Sequence, residues 1–362
     1  MAEFLKDLWT RISGSERYLP SYIKIPAAQT DRSEDLAGSF DADKNYFTVR
    51  VNEMFLQKER EWFTKYDPVV IAVTEFVYDE AKVTVPFVVG PHLLQNGLTQ
   101  ELTIKEGMIF KNTTVAGTHP FRGDPFSIRI VLARLEKKDY LRDLLKLIES
   151  AAGTYTHDFA TVVNNYLKVS KVVLDGIDTL LGKKELEGLI GHSNTIMLNA
   201  GDDFKPGYYA LINQNEKETD SRKFFIVDNA LCYGNSLQDC TPYREADYVL
   251  YSIMSTVKRK DLNQLPFYKK WKDLLAYSMP LNTISAEQWD LIKGKLFALH
   301  GELRLSPDLV RSQVTELMKE YTTEVNEIKS QRESLSAPEA EKIMISKWDK
   351  EQDEMALQIL KM

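Results

Sequence analysis

A chain of 362 residues that is 43% hydrophobic and 27% charged is long enough for two or three domains and ordinary for a globular protein. Its formal net charge of -7, without an extended basic stripe, argues against a nucleic-acid-binding face, because phosphate recognition needs a clustered excess of Lys and Arg. Two cysteines, Cys232 and Cys240, cannot build a framework of disulfides and are expected to be reduced.

Phe4, Leu5, Leu8, Trp9 and Ile12 recur at helical spacing and predict a short amphipathic helix ending at Gly14, packed on its own domain. The acids in this stretch depart from the basic-then-apolar order of a signal peptide, and no run reaches the roughly 18 apolar residues of a membrane span, so a cytoplasmic protein is expected. Ser15 to Lys44, with Pro20, Pro26 and Gly38, reads as an irregular arm.

From Tyr46 the period becomes two. Phe47, Val49 and Val51, then Val69 to Val73, Val83 to Val89, Leu102 to Ile104, Met108 to Phe110 and Phe126 to Leu135 predict antiparallel strands. Asp139 to Ala152 and Thr156 to Leu181 carry helical patterns, the second with an apolar face broad enough for burial on more than one side. Strands resume at Thr195 to Leu198, Gly207 to Ile212, Lys223 to Val227 and Tyr248 to Val257, and a helix follows over Leu262 to Tyr277. In the last eighty or so residues, Ser285 with Gln288 forms a capping box and Gly301 ends that helix. Ser306-Pro307 opens the next helix, with Val310, Val314, Leu317, Tyr321, Val325 and Ile328 on one side, and Ser336 with Glu339 caps a last one.

Two stretches repeat. Pro120 to Asp139 and Pro242 to Asp261, overlaid without a gap, share Pro120/Pro242, Arg122/Arg244, Lys138/Lys260 and Asp139/Asp261, four identities where chance supplies roughly one. Seven further pairs are similar in type, among them Phe121/Tyr243 and Phe126/Tyr248. Arg122 with Asp124 and Arg244 with Asp247 read as turn-stabilising ion pairs.

The expected architecture is therefore α+β: two antiparallel β-sandwich-like modules related by internal duplication, each followed by helices, with a C-terminal helical arm. The boundaries are 1–45 for the N-terminal helix and arm, 46–153 for the first module and its helix, and 154–193 for a long connecting helix. The second module takes 194–280 and a C-terminal helical hairpin takes 281–362.

Candidate chemistry is sparse. Asp41, Asp43 and Asn45 space three oxygens as the first half of a calcium loop does, but Tyr46 stands where the sharp turn wants Gly, and Glu53 lies one beyond the bidentate position. The histidines, His92, His119, His157, His192 and His300, show no zinc spacing. His119 with Asp124 is a candidate hydrolytic pair, although the repeat has Thr241 at the position of His119. Gly191-His192-Ser193 lacks the context of a nucleophile elbow, Cys232 sits among apolar residues, and there is no phosphate-cradling glycine loop. These features point to a non-enzymatic intracellular adaptor or regulatory component without a cofactor, binding protein partners through its β modules or C-terminal helices. The alternatives are a membrane-acting effector released by cleavage or calcium, exposing the 4–12 or 159–181 helix, and a hydrolase using His119 and Asp124.

Overall fold

The computed structural model of the chain describes residues 20–36, 38–57, 60–61, 64–78, 81–89, 102–104, 107–135, 175, 186–196, 205–215, 219–279 and 284–335. The helices expected at 4–12, 139–152 and, apart from Asp175, 156–181, and the last one after Ser336, lie outside these residues. The chain divides into two compact units, one holding Met1–Asp261 with Pro307–Gln313 and the other Leu262–Ser306 with Val314–Met362.

The first unit is built on antiparallel ladders. Its strands are β1 (Pro20–Ile25), β2 (Tyr46–Leu56), β3 (Arg60–Glu61), β4 (Thr64–Lys65), β5 (Asp67–Tyr78), β6 (Ala81–Val89), β7 (Leu102–Ile104), β8 (Gly107–Pro120) and β9 (Phe126–Leu135). After them come β10 (Leu186–Ile196), β11 (Gly207–Asn215), β12 (Phe224–Val227), β13 (Ala230–Gly234), β14 (Cys240–Pro242) and β15 (Tyr248–Thr256). A six-stranded sheet runs β1-β11-β15-β2-β8-β7, a four-stranded sheet β10-β9-β5-β6, a three-stranded sheet β12-β13-β14, and β3-β4 form a short ladder. Strands from 46–153 and from 194–280 share the six-stranded sheet, where β2 pairs with β15, so the two β-rich spans interleave there. Residues 186–193, placed by the sequence in a connecting-helix region, are strand: they run along β9 with one irregularity between Gly188 and Ile190. The arm expected to be irregular likewise contributes β1 and two 3-10 turns, Ala27–Gln29 and Ser33–Leu36.

Why the large sheet has a buried and a polar face follows from alternation. Phe47, Val49 and Val51 of β2, Val249, Tyr251 and Ile253 of β15 and Tyr209 and Leu211 of β11 enter one core, which also takes Val70, Ala72 and Phe76 of β5 and Ile128, Ile130 and Leu132 of β9. The six- and four-stranded sheets thus supply a common core. On the opposite face Tyr208, Ala210, Ile212, Tyr248 and Leu250 meet Phe224, Ile226, Leu231 and Tyr243 in a second core under the three-stranded sheet.

A bulge in β2 serves both cores. Tyr251 faces Val51 while Leu250 faces Glu53, leaving Asn52 as an extra residue. An extra residue reverses which face each later side chain takes, so Met54 returns to the first core while Phe55 joins the second. Glu53 is thereby turned to the outer side, fully buried, where Arg244 Nη2 donates to its Oε1 at 3.3 Å and the Leu231 N–H to its Oε2 at 2.8 Å. Arg244 also lies over the Phe55 ring at 4.9 Å.

The two aligned arginines therefore do not pair within their own turns. Arg122 Nη1 donates to Asp43 Oδ1 at 2.6 Å, just before β2, as Arg244 reaches Glu53 within it. Asp247 instead accepts from the Gln57 N–H at 2.7 Å and from Asn213 at 3.0 Å. The turns also differ. Gly123 sits at φ 88°, a left-handed conformation that suits glycine, whereas Glu245, aligned with it, is not among the residues of positive φ. Beyond the turns, β9 enters the four-stranded sheet and β15 the six-stranded one.

The described residues of the second unit are largely helical, with α1 (Pro266–Ser278), α2 (Ala286–Leu305) and α3 (Arg311–Leu335), the last beginning in Pro307–Gln313 of the first unit. Pro266 occupies the first turn of α1, and the Ser285–Gln288 capping box forms at the head of α2. One stop and one start signal fail: α2 runs through Gly301 to Leu305, and Ser306-Pro307 lies in a turn before α3 rather than in its first turn. A single glycine costs a helix only about 1 kcal/mol, and burial of Leu299 and Leu303 on either side of Gly301 outweighs it. Trp271 of α1 stacks on Tyr321 of α3 with ring centroids 3.9 Å apart, and Val314, Leu317, Val325 and Ile328 of α3 are buried. Opposite the buried Ile292, Leu299 and Leu303, α2 presents Leu291, Phe297 and Leu305 as exposed side chains.

Replacing Arg244 by methionine leaves the buried Glu53 carboxylate without its cation, and the expected loss of stability is about 3–5 kcal/mol. Adding Glu53→Gln recovers part of it. Urea unfolding of the two variants checks this, and a loss under about 1 kcal/mol for Arg244→Met would show that the pair does not anchor the β13–β15 segment to β2.

Candidate functional site

The polar members of the same alternation line a cleft of about 690 Å³ on the outer face of the six-stranded sheet, beside the second core. Thr48, Arg50 and Asn52 of β2 and Ser252, Met254 and Thr256 of β15 form its floor, with Thr118 of β8 and Tyr208 of β11 at either side. The register sets these groups in rows: Tyr208, Ser252 and Arg50 are directly opposite one another across three strands, and Met254 is opposite Thr48. Thr48 and Thr118 place their hydroxyl oxygens 3.4 Å apart. The rim is made by Arg32 and Glu34, by Asn229, and by Lys258 to Asp261 after β15. Asn229 is held there by the two-residue hairpin turn of β12–β13, where Asp228 and Asn229 take φ of 51° and 61°. Its Oδ1 accepts from the Tyr208 hydroxyl at 2.7 Å.

The charge of the cleft runs against that of the chain. Arg259 is neutralised: Nε and Nη2 donate to the two Asp261 oxygens at 2.7 and 2.8 Å, and Nη1 donates to the Asp308 carbonyl at 2.9 Å. Hydrogen bonds from this guanidinium hold the Asp261 carboxyl below its ordinary range against its burial, while burial raises that of Asp308 in spite of Arg259. With that pair set aside, the lining keeps Arg32, Arg50, Lys258 and Lys260 against the single carboxylate of Glu34. On the floor, Ser252 is fully buried and its Oγ has no hydrogen-bond partner among the described residues. An unmatched buried hydroxyl beside cations is a place where a ligand acceptor or donor is stabilised.

The residues singled out by the sequence lie elsewhere. Asp43, at φ 60°, has its carboxylate between Arg122 at 2.6 Å and Arg311 at 3.5 Å, while Asn45 Oδ1 accepts from the Asp41 N–H at 3.0 Å. Asp41 Oδ2 lies 3.7 Å from Lys44 Nζ. The loop thus spends these oxygens on arginines, a lysine and its own backbone, and no group of three or more His, Cys, Asp or Glu able to hold a metal occurs among the described residues.

His119 is a core residue, packed 4.4 Å from the Phe76 ring and 5.8 Å from Phe47 between centroids. Burial, reinforced by the positive charge of Arg259, pulls its pKa down to about 3, so the imidazole is neutral. Asp124 sits partly exposed in the β8–β9 turn. Burial and the neighbouring Cys240 push the Cys232 thiol up to about 12, the opposite of an activated nucleophile. His192, on β10, stacks on Tyr22 at 4.1 Å. The apolar stretches proposed to act on membranes, 4–12 and 159–181, lie outside the described residues apart from Asp175, and no described helix is long and apolar enough to cross a membrane.

Sequence reasoning passed over the cleft because Thr48, Arg50 and Asn52 looked like the solvent side of a strand. The available signal was that Ser252 and Met254 alternate with Tyr251 and Ile253 in the partner strand. No known protein family, curated protein or solved structure matches the chain.

His119 also sets an acid limit. Its folded pKa is depressed from 6.5 to about 3, so its neutral packing contributes fully above 6.5 and is lost as pH falls from there towards 3. Urea midpoints measured against pH should fall through this window and fall less steeply in His119→Leu. Equal slopes in both chains would place the acid limb on other groups.

Proposed function

We propose that the protein is a non-enzymatic binding component, an adaptor or regulatory protein, whose primary site is the cationic cleft on the six-stranded sheet and whose ligand there is anionic. The observation that carries this is the cleft's composition: Arg32, Arg50, Lys258 and Lys260 around a floor of Thr48, Asn52 and Ser252, with neither histidine nor cysteine among its lining residues. Such a set binds and orients an anion but offers no paired nucleophile and base. The net charge of -7 makes a local cation excess a feature of this site and not of the whole surface.

The adaptor part of the reading, with a protein partner, is supported by the outward Leu291, Phe297 and Leu305 of α2, and the proposal sets the protein in the cytoplasm. The same proposal takes the six- and four-stranded sheets around their common core as a sandwich. It also takes the Pro120–Phe126 and Pro242–Tyr248 turns as descendants of one unit, on the strength of two arginines that both reach carboxylates at β2.

At constant ionic strength, at least one multivalent anion among pyrophosphate, citrate and inositol trisphosphate should raise the Tm of the full chain. Stabilisation at a hundredfold excess over Kd is about 2.7 kcal/mol. The doubly reversed chain, Arg50→Glu with Lys260→Glu, should not respond. A wild-type chain indifferent to all three, or a variant stabilised as much as the wild type, ends the anion reading.

A further inference from the structure

The cleft separates two chemistries. Its cations stand on the rim loops, Arg32 in the approach to a 3-10 turn and Lys258 and Lys260 after β15, with Arg50 the only lining cation on a strand of the floor. Apart from Met254 the rest of the floor is neutral and polar, with hydroxyls and an amide from Thr48, Asn52, Ser252 and Thr256 and with Thr118 beside it; Thr48, Asn52 and Ser252 are buried. A simple inorganic anion would satisfy the rim and leave the Ser252 hydroxyl unmatched. A nucleotide would want an aromatic face to stack on, and the lining offers only Tyr208, which is itself buried with its hydroxyl donated to Asn229. An acyl chain would want an apolar wall, and apart from that ring the apolar lining side chain is Met254.

We infer that the cleft takes a phosphorylated polyol, of the sugar-phosphate or inositol-phosphate class, with its phosphates among Arg32, Arg50 and Lys260 and its hydroxyls on the floor at Ser252 and Asn52. This rests on the anion reading above and adds the neutral half of the ligand. Ser252 is the discriminating residue: a fully buried hydroxyl without a partner in the described structure is matched when a ligand hydroxyl reaches it. A volume of about 690 Å³ accommodates a ring of this class with its phosphates.

Calorimetric titration of the full chain at constant ionic strength tests the pairing of chemistries with three probes: pyrophosphate for charge alone, inositol for hydroxyls alone, and inositol trisphosphate for both. Inositol trisphosphate should bind at least tenfold more tightly than pyrophosphate, and inositol alone weakly. Ser252→Ala should lose about tenfold in affinity for inositol trisphosphate, the equivalent of about 1.4 kcal/mol, without lowering the Tm of the unliganded chain. Vesicles carrying phosphoinositide, against vesicles carrying phosphatidylserine, identify the source. Selective capture that soluble inositol trisphosphate reverses places the polyol on a lipid headgroup, and binding of the soluble compound alone makes it a free metabolite. Pyrophosphate binding as tightly as inositol trisphosphate, or an unchanged affinity in Ser252→Ala, overturns the polyol inference and leaves the anion cleft standing. Absence of binding by every anion overturns both.

Discussion

The extra residue in β2 is the constraint on which the first unit turns. Before Asn52, odd positions of the strand face the core shared with the four-stranded sheet and even positions face outward; after it the order reverses. Without the bulge, Phe55 would be driven into the wrong core and Glu53 would point into the first one, a charge among apolar side chains that costs several kcal/mol. With it, Asn52 and Glu53 both serve the outer side, one lining the cleft and the other binding Arg244. The second core and the cleft are neighbours on one sheet face because a single irregularity divides that face between them.

Charge placement follows the same division. The arginines that build the unit are each committed to a carboxylate: Arg122 to Asp43, Arg129 to Glu75 at 2.7 Å, Arg244 to Glu53 and Arg259 to Asp261. Burial would raise the Glu75 carboxyl, yet the hydrogen bonds from Arg129 and Ser127 hold it below its ordinary range. Arg259 does more than neutralise Asp261. Together with Tyr46, whose hydroxyl donates to Gln313 Oε1 at 2.5 Å and is pushed up to about 12 by burial, it fastens Pro307–Gln313 to the sheet. The positive charge that the cleft lining carries beyond the Arg259–Asp261 pair stands on Arg32, Arg50, Lys258 and Lys260.

Period-two patterning was enough to place β2, β5, β6, β9, β11 and β15, since each carries β-branched or aromatic residues on at least one face, and the capping box located the start of α2. What escaped was short, glycine-bearing or polar. β13 and β14 are five and three residues long, and β10 opens with Gly188 and Gly191 in place of strand-forming side chains. The bulge had no local signature at all: Asn52 follows Val51 as any outward residue would, and only the pairing with β15 shows that it is supernumerary. The cleft escaped for a related reason. Alternation tells which residues leave the core but not whether solvent or a second layer meets them, and that depends on the hairpin at Asp228–Asn229 arriving from 175 or so residues later in the chain.

Ser252 gives the proposed binding site on this face its strongest support. A serine at a fully buried position opposite Arg50 and Tyr208 is a poor choice for stability alone, since an unmatched hydroxyl costs about 1–3 kcal/mol and alanine would fit the same space. That hydroxyl has no hydrogen-bond partner among the described residues, and the neighbouring Arg50 is exposed. A buried hydroxyl without a partner among the described residues, set directly opposite an exposed guanidinium on the neighbouring strand, is the arrangement that the proposed ligand would match, since it supplies acceptors to both.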